Sequence, residues 1–264
     1  MALLTLTTDY GYKDYDVAAL KGQLLQRNKD IRLIDISHGI DTNDLIGAAY
    51  TSRQGSANFP SPSYHLTVVK QHEGKNRLLA MDYEGKVYMF PDNGIISLMF
   101  PETDLAIYEV GRFEDHSLFD LVNKVIVEQE AGRKLEDWCK QSHGFKQSIF
   151  GQPAIQDNIM RAMVFFVDSK NNAVLNIHRD KFEDFIGENA FEITFLRYNA
   201  TRIHERYDGE GAQGRHVCRF NDAGYLEISI YGGNAAGLLG LQYGTTVVIC
   251  LLYTSDAADE SVCV

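Results

Sequence analysis

The order of strand and helix patterns limits the fold of this chain more than any other feature. In the first half, an apolar strand pattern is followed by Val17, Leu20 and Leu24, whose spacing is that of one helical face. Alternation of this kind predicts a mostly parallel sheet flanked by helices. The predicted elements of this half are strands at Leu3–Thr7, Ile31–Ile36, His65–Val69, Leu78–Met81 and Val87–Phe90, and helices at Tyr15–Asn28 and Asp120–Gly132.

The pattern changes after the stretch SHGFKQSIFGQPAIQDN, which has little periodicity and is typical of a linker. Beyond it, five strand-like runs are separated by turn residues: RAMVFFVD, AVLNI, FEITFLR, GYLEISI and TTVVI. Such runs without long helices favour a small barrel or sandwich. The sequence therefore predicts an N-terminal α/β domain at 1–146, a linker at 147–158 and a smaller all-β, barrel-like domain at 159–249.

The last residues match no predicted element. The segment CLLYTSDAADE resembles the translation of a sequencing-library adapter that is read through in frame. We therefore expect 250–264 to be a non-native tail and the last strand to be truncated, and the alternative is an ordinary disordered tail.

Composition excludes several classes of protein. The net charge of −11 repels polyanions, and no cluster of Lys and Arg interleaved with aromatic residues offsets it, so nucleic acid is not an expected partner. No run approaches the roughly 18 apolar residues that span a bilayer, so we expect no membrane contact and a cytoplasmic protein. The four cysteines lie far apart without C-x-x-C pairing, which favours isolated reduced thiols over a zinc knuckle or a disulfide framework.

The stretch TLTTDYGYKDYD places three carboxylates, Asp9, Asp14 and Asp16, directly after the first predicted strand. Asp14 or Asp16 can cap the helix that follows. Asp9 has no such role, because it lies at the carboxyl end of the strand, where open α/β sheets form their ligand crevices. We therefore expect Asp9 to hold a ligand.

Three further polar motifs have both an architectural and a functional interpretation. DISHG, at 35–39, puts an Asp and a His at a strand end, where they ligate a metal or cap a turn. PDNG, at 91–94, is a strong turn signal. GGNAAGLLG, at 232–240, indicates either a glycine-rich connection or a short helix whose first backbone N–H groups are free to bind a ligand.

If five scattered residues with oxygen and nitrogen donors are interpreted as metal ligands, they indicate a metal-dependent phosphoesterase. Their spacing matches no compact metal motif. The residues concerned are Asp9, Asp35, His38, Asn93 and His116.

The order and spacing of five motifs resemble the S-adenosyl-L-methionine (SAM) hydroxide adenosyltransferases, also called SAM hydrolases, a family that includes fluorinating and chlorinating enzymes. The motifs are TLTTDYGYKD, RLIDISHGI, PDNGIISL, VDSKNNAVLNI and GYLEISIYGGNAAGLLGL. The resemblance runs from about Leu4 to Ile249. It implies an N-terminal α/β domain, a β-barrel-like C-terminal domain and a homotrimer, with SAM held between one subunit's N-terminal domain and its neighbour's C-terminal domain.

The resemblance also implies a reaction. Water or a halide attacks the ribose C5′ of SAM, methionine leaves as a neutral thioether, and neither a metal nor another cofactor takes part. Asp9 matches the family aspartate that binds the ribose 2′- and 3′-hydroxyls, for which a carboxylate offers two acceptor oxygens. Asp14 matches a second acidic position nearer the methionine end, with helix capping as its alternative role.

In the second half, Asp168 and Asn172 align with the Asp and Asn of the family's D-x-F-G-N turn, which reads DSKNN here. Asn171 replaces the glycine, and Asn tolerates the left-handed backbone that a glycine would adopt. Asn234 and Ala235 match the segment whose backbone binds the adenine edge. A glycine-rich connection to the last strand is the alternative.

Asp222 and Glu227 occupy the positions of a Ser and a Glu that hold the methionine carboxylate and ammonium in the family. Glu227 fits an ammonium partner. The Asp at 222 would place two anions face to face.

The nucleophile site departs from the family pattern. Where related hydrolases have V-V-D-P-G-V-G-T-x-R, this chain reads VVKQHEGKNR, with Gly74 and Arg77 in register. Lys70 replaces the Asp, which reverses the charge and removes the acceptor that would orient a water molecule. The resemblance makes Arg77 and Lys70 the expected nucleophile-site residues.

A histidine completes this site in the family, and the corresponding loop falls near FEDHSLFDLV. His116 aligns about two positions away from the family histidine. His72 or Glu73, from the same loop as Lys70, are alternative bases, unless that loop is simply solvated.

Three functions follow from the resemblance. The first is hydrolysis of SAM to adenosine and methionine, with Arg77 ordering the nucleophile and His116 assisting. The second is a non-catalytic SAM or adenosine binder, since the binding motifs remain beside an altered nucleophile site. The third is a halogenase, in which the Lys70 cation attracts chloride.

Overall fold

The computed structural model of the chain describes residues 1–101, 105–207 and 214–252. It divides into two compact units, Met1–Phe150 and Gly151–Val264. The division falls inside the segment predicted as a linker.

The first unit contains seven strands and five helices among its described residues, and its strands form one sheet in the order β2-β1-β3-β5-β4-β6-β7. The strands are β1 (Leu3–Thr8), β2 (Arg32–Ser37), β3 (Ser63–Val68), β4 (Lys75–Tyr83), β5 (Lys86–Asp92), β6 (Tyr108–Arg112) and β7 (Lys140–Gln141). The helices are α1 (Asp16–Arg27), α2 (Leu45–Ala57), α3 (Ile95–Met99), α4 (Leu118–Glu130) and α5 (Leu135–Trp138).

This sheet is mixed, which corrects the prediction of a mostly parallel one. β2, β1, β3 and β5 pair in parallel, whereas β5, β4, β6 and β7 pair in antiparallel fashion. The cause is local, because only Glu84 and Gly85 separate β4 from β5, and both have positive φ values, 54° and 72°. A two-residue connection of this geometry makes a hairpin and cannot cross over to a parallel strand.

Two apolar layers cover the sheet. Alternate residues of β4 point to opposite sides, with Leu78 in the layer that includes α1 and α4 and Leu79 in the layer that includes α2 and α3. Helix α2 is absent from the predicted elements because its sequence, LIGAAYTSRQGSA, is small and weakly patterned. Small residues allow it to approach the sheet closely, and a Cβ on Gly55 would lie 2.6 Å from a methyl group of Ile36.

The second unit contains a nearly closed, barrel-like antiparallel sheet in the order β12-β11-β15-β9-β10-β14-β13, with β8 also paired to β9. His216 of β13 donates a hydrogen bond from Nε2 to the Asn199 carbonyl of β12 at 2.8 Å, which links the two ends of the order. The strands are β8 (Ala154–Gln156), β9 (Ile159–Val167), β10 (Ala173–His178), β11 (Ala190–Phe195), β12 (Tyr198–Ala200), β13 (His216–Phe220), β14 (Tyr225–Ile230) and β15 (Thr246–Leu252). The helices are α6 (Arg179–Ile186) and α7 (Ala235–Leu239).

The last strand extends beyond its predicted end at Ile249. Cys250 pairs with Glu192 and Leu252 with Ala190, so three residues assigned to the tail complete β15. Residues 253–264 lie outside the described residues, and the non-native origin of 250–264 stays a prediction.

Within the described part of the chain, Cys139, Cys218 and Cys250 form no disulfide bond, and Cys263 lies outside the described residues. No described helix combines the length and the apolar character that crossing a bilayer requires.

Candidate functional site

Asp9 and Lys70 meet at the carboxyl ends of two neighbouring parallel strands, β1 and β3. The Lys70 backbone N–H donates a hydrogen bond to Asp9 Oδ2 at 3.1 Å. Among the described residues, no other protein group donates a hydrogen bond to this carboxylate. Asp9 is half-buried, and its second oxygen is therefore available to a ligand donor.

The loop that carries Lys70 is held by Asn93, the third residue of the PDNG turn. Asn93 is buried, and its side-chain amide donates to the Val69 carbonyl at 2.6 Å. Its carbonyl oxygen accepts from the Ile95 backbone N–H at 3.2 Å. Lys70 has a positive φ of 49°, and its ammonium lies 3.4 Å from the Glu73 carboxylate. PDNG thus supports the loop next to Asp9 in addition to closing a turn.

Arg77 makes contacts that occupy most of its guanidinium. Nε donates to Asp92 Oδ2 at 2.8 Å, Nη1 donates to Glu109, and Nη2 donates to the Gly144 carbonyl at 2.7 Å. Burial lowers the pKa of Arg77, but the hydrogen bonds with Asp92 and Glu109 raise it more. Gly74 is required by close approach, since a Cβ there would lie 2.3 Å from the Asp92 carbonyl oxygen.

His116 lies on an exposed loop that is tied to the start of β4. The Phe113 backbone N–H donates to the Asn76 carbonyl at 3.1 Å, which places this loop beside the strand that carries Arg77. His72 and Glu73 are also exposed. The role of each in catalysis stays a prediction.

The prediction that Asp14 or Asp16 caps α1 is wrong, because the N-cap is Tyr15 and no described side chain caps this helix; Asp14 instead closes a local turn just before it. Its carboxylate accepts from the Asp16 backbone N–H at 3.2 Å, at the first residue of α1. Asp14 is exposed, and a ligand contact by this residue stays a prediction.

The scattered residues of the phosphoesterase hypothesis do not form a metal site. Within the part of the chain that the structure describes, no three His, Cys, Asp or Glu side chains are grouped to hold a metal ion. His38 Nδ1 lies 2.7 Å from the Thr8 hydroxyl, and the Asn93 amide supports a loop.

In the second unit, the predicted turn is closed by the Asp168 carboxylate. It accepts from the backbone N–H groups of Lys170 and Asn172 at 2.9 and 2.8 Å and from the Asn172 side-chain amide at 3.0 Å. Asn171 has a φ of 62°, which confirms the expectation that an asparagine adopts the left-handed conformation here. The Ala236 N–H donates to the Asn171 carbonyl at 2.9 Å and so brings the turn against α7.

Asn234 begins α7 as its N-cap. Its side-chain oxygen accepts from the Gly237 N–H at 2.7 Å, while Ala235 is buried. The prediction that the first N–H groups of this helix are free is wrong for Ala236 and Gly237, because both donate within the protein.

Glu227 is a buried carboxylate in the middle of β14. It accepts a hydrogen bond from the Tyr207 hydroxyl, and Arg219 Nε lies 3.5 Å from Oε1. The Arg219 guanidinium also stacks over the Tyr207 ring at 4.1 Å. Burial and the nearby charge of Asp168 raise the pKa of Glu227, although Tyr207 and Arg219 oppose this shift.

Tyr207 and Arg219 are the site residues that the sequence did not indicate. Arg219 is the direct cross-strand neighbour of Glu227 in the β13–β14 hairpin, so the hairpin register would have identified it. Tyr207 carries no such signal. Asp222 lies in the hairpin turn, is fully exposed and is 3.6 Å from Arg219.

A cavity of about 300 Å³ in the second unit contains none of the predicted site residues. It is lined by Arg179, Phe182, Glu183, Ile186, Phe191, Thr201, Arg202, Ile203 and Phe220.

Comparison with family models gives two matches. Residues 4–131 match the SAM hydroxide adenosyltransferase N-terminal domain, and residues 162–248 match the SAM hydroxide adenosyltransferase C-terminal domain.

Three curated relatives are each named (R)-S-adenosyl-L-methionine hydrolase. The protein from Salinispora tropica is 32% identical, over 91% of this chain and 95% of the relative. The protein from Methanocaldococcus jannaschii is 25% identical, over 91% and 93%. The protein from Thermus thermophilus is 24% identical, over 91% and 96%.

Two crystal structures share the fold. An uncharacterized conserved protein from Thermotoga maritima has a TM-score of 0.80 and 21% identity, over 94% of this chain and 99% of that one. A conserved hypothetical protein from Thermus thermophilus has a TM-score of 0.71 and 21% identity, over 96% and 100%.

Proposed function

This chain belongs to the SAM hydroxide adenosyltransferase family, and we propose that it hydrolyses SAM to adenosine and L-methionine. The relatives' shared name extends the proposal to the R sulfonium epimer as a substrate. The observation that carries it is the half-buried Asp9 carboxylate, with one oxygen held by the Lys70 N–H and the other available at the strand ends.

The reaction needs little acid or base chemistry. The oxygen of water or hydroxide bonds to the ribose C5′, the C5′–S bond breaks, and its electron pair converts the sulfonium to the neutral thioether of methionine. Water loses one proton to a base or to solvent. The protein must mainly align the oxygen opposite the C5′–S bond and remove its surrounding water.

Asp9 is assigned to the ribose. A carboxylate accepts hydrogen bonds from two neighbouring hydroxyls, and such charge-assisted bonds are stronger than neutral ones. Because Lys70 fixes one carboxylate oxygen through its backbone, Asp9 keeps its orientation whatever the Lys70 side chain does.

The nucleophile side is assigned to Lys70, Arg77 and His116. The Lys70 ammonium and its partner Glu73 would provide a cation and an acceptor close to Asp9. His116 would take the proton from water if its exposed loop folds over the substrate. Arg77 would act mainly by fixing the strand and loop around it, since its guanidinium is already engaged.

The second unit is assigned to the rest of the substrate. Glu227 would pair with the methionine ammonium, and Asp222 lies in the adjacent turn. Asp168, Asn172, Asn234 and Ala235 would form the adenine side, because one backbone hydrogen bond joins their two segments. We assign the complete site to a homotrimer in which neighbouring subunits each contribute one half.

A non-catalytic SAM or adenosine binder is the second candidate. It is favoured by the Lys70 substitution together with the full set of protein partners on Arg77. Both would leave binding intact while removing the means to orient water.

The deciding assay incubates the purified protein with each sulfonium epimer of SAM and measures adenosine by chromatography. Adenosine above the blank supports hydrolysis. Calorimetric binding without adenosine supports the binder, and neither binding nor product rejects both. Replacing acetate with chloride and looking for 5′-chloro-5′-deoxyadenosine tests the halogenase.

Subunit complementation tests the shared site. Asp9→Asn and Glu227→Gln variants are each expected to lose turnover, and mixed oligomers of the two should recover part of it. No recovery on mixing, with mixed oligomers demonstrated by mass, would place both halves of the site in one subunit.

A further inference from the structure

A chain of buried polar groups lies beneath the loop at residues 9–12, which we name the Asp9 loop. His38 has no exposed surface, and its Nδ1 lies 2.7 Å from the Thr8 hydroxyl oxygen. The Tyr10 backbone N–H donates to the same oxygen at 3.3 Å. On the far side of the ring, Asp35 Oδ1 lies 3.2 Å from Nε2, with an alignment too poor for a full hydrogen bond.

The charge of Asp35 determines which atoms donate and which accept in this hydrogen-bond network. Lys21 Nζ lies 2.6 Å from Asp35 Oδ2. Burial raises the pKa of Asp35, but the contacts with Lys21 and His38 lower it more, so the group is a carboxylate at neutral pH. A carboxylate favours a proton on the facing Nε2. Nδ1 then accepts from the Thr8 hydroxyl, whose oxygen accepts from the Tyr10 N–H.

Two more contacts connect His38 to the Asp9 loop. The Gly11 backbone N–H donates to the His38 carbonyl at 2.7 Å. Gly11 has a φ of 74°, a conformation that glycine adopts without strain. The Tyr12 ring meets the His38 ring edge-on, with centroids 5.3 Å apart. His38 therefore contacts the chain on both sides of Asp9 without reaching Asp9 itself.

We propose that His38 is a positioning residue for ribose recognition, acting through Thr8 and the backbone of the Asp9 loop to hold the free Asp9 oxygen in place. The inference rests on the proposed function for its ligand. It gives the DISHG motif a functional role, in which His38 supports the loop that carries Asp9. A loop that is already ordered spares the ligand the entropic cost of ordering it on binding.

The test compares two threonines of β1 that make the same type of contact. Thr8→Val deletes the hydroxyl that links His38 to the loop. Thr5→Val is the matched control, because Thr5 is equally buried and its hydroxyl lies 2.7 Å from Nδ1 of another buried histidine, His65. His65 has Ser63 as its other side-chain hydrogen-bond partner and, in the described part of the chain, makes no hydrogen bond to the Asp9 loop.

The first readout is the dissociation constant for adenosine, measured by calorimetry. Thr8→Val should weaken binding about tenfold, by analogy with outer-shell partners that orient metal ligands. Thr8→Ser, which keeps the hydroxyl, and Thr5→Val should remain within about twofold of the parent protein. Equal affinities for Thr8→Val and Thr5→Val, with both folded by circular dichroism, would overturn the proposal.

The second readout is amide hydrogen exchange at Tyr10 and Gly11, which needs no ligand. Exchange there should become faster in Thr8→Val and stay unchanged in Thr5→Val. Unchanged exchange in both variants overturns the positioning role. If the parent protein binds neither adenosine nor SAM and forms no adenosine from SAM, the proposed function fails, while exchange still decides whether His38 orders the Asp9 loop.

Discussion

Each unit of this protein has an arginine beside a buried carboxylate, and the two clusters differ in how well the charges are satisfied. In the first unit, Arg77 is 13% exposed and donates directly to Asp92, which has no exposed side-chain surface. In the second unit, Arg219 is equally exposed, but its Nε is 3.5 Å from Glu227 and its guanidinium stacks on Tyr207.

The pKa shifts express the same difference. Burial raises the pKa of Glu109, the other partner of Arg77, but Arg77 lowers it more. The pKa of Glu227 is raised on balance, because burial and Asp168 outweigh Tyr207 and Arg219. A satisfied cluster stabilises a fold, whereas an undercompensated buried carboxylate is typical of a binding or catalytic position. From this contrast we propose that Arg77 has a structural role and that Glu227 contacts the ligand.

The largest expected effect is on the first cluster. Arg77→Met leaves the buried Asp92 carboxylate without its cation and leaves Glu109 with only its exposed Arg112 contact, and it should lower the free energy of unfolding by about 3–5 kcal/mol. Arg112→Met, at an exposed partner of Glu109, should change it by less than about 1 kcal/mol. Urea denaturation measures both. A small loss in Arg77→Met with complete loss of turnover would instead make Arg77 a catalytic residue.

A smaller loss is expected from the second cluster. Arg219→Met removes two long ion-pair contacts, with Glu227 and Asp222, a hydrogen bond to the Phe220 carbonyl and the stacking contact on Tyr207, and should cost about 1–2 kcal/mol. The control is Arg179→Met, because Arg179 is an exposed cation that stacks over the Phe220 ring. Denaturant unfolding of both variants measures the difference in their free energies of unfolding. A cost equal to that of Arg77→Met would remove the distinction between the two clusters.

The two clusters should also respond to acid in opposite directions. The lowered pKa of Glu109 gives stability that is present above its ordinary value of 4.5 and lost as pH falls through the folded value. The raised pKa of Glu227 gives stability that is complete below 4.5 and lost as pH rises through the folded value.

Glutamine variants isolate these two contributions. Relative to the parent protein, Glu227→Gln should gain stability as the pH rises above 4.5, whereas Glu109→Gln should gain it on acidification below pH 4.5. Unfolding free energies at several pH values measure this. Slopes of the same sign for both variants would contradict the assignment.

The smallest effect concerns the two left-handed residues next to the binding motifs. Lys70 has a φ of 49° and Asn171 a φ of 62°. Lys70→Gly should raise the free energy of unfolding by about 0.5 kcal/mol, since relief of strain exceeds the entropy cost of glycine. Asn171→Gly should be near neutral, because asparagine tolerates this conformation. Thermal unfolding of the two variants measures this difference. Equal shifts in the midpoint temperature of both would contradict the prediction.

Much of the fold could be predicted because the information was local. The strand at the N-terminus, the helix after it and five of the eight strands in the second unit follow from apolar spacing within a few residues, whereas β8, β12 and β13 were not predicted. Asn171 in the DSKNN turn follows from its side chain alone. Helix α2 could not be predicted, since its burial depends on small residues that fit closely against Ile36 rather than on an apolar face.

The candidate site also contains features that local sequence predicts and features that it does not. The placement of Asp9 at a strand end and of Asn234 at a helix start follows from local sequence. The hydrogen bond from Lys70 to Asp9 joins residues 61 positions apart, and that from Tyr207 to Glu227 joins residues 20 apart. Neither could be predicted without the order of the strands.

The sequence by itself determined which residue types are present, the approximate positions of the strongly apolar strands, and which family the motifs resemble. Only the tertiary structure decided that Arg77 is enclosed by Asp92, Glu109 and Gly144, and that His38 underlies the Asp9 loop. The physical reason is the distance along the sequence over which each property is determined. Backbone conformation depends on neighbours a few residues away, whereas the environment of a charge depends on every segment that the folded sheet brings within hydrogen-bonding distance.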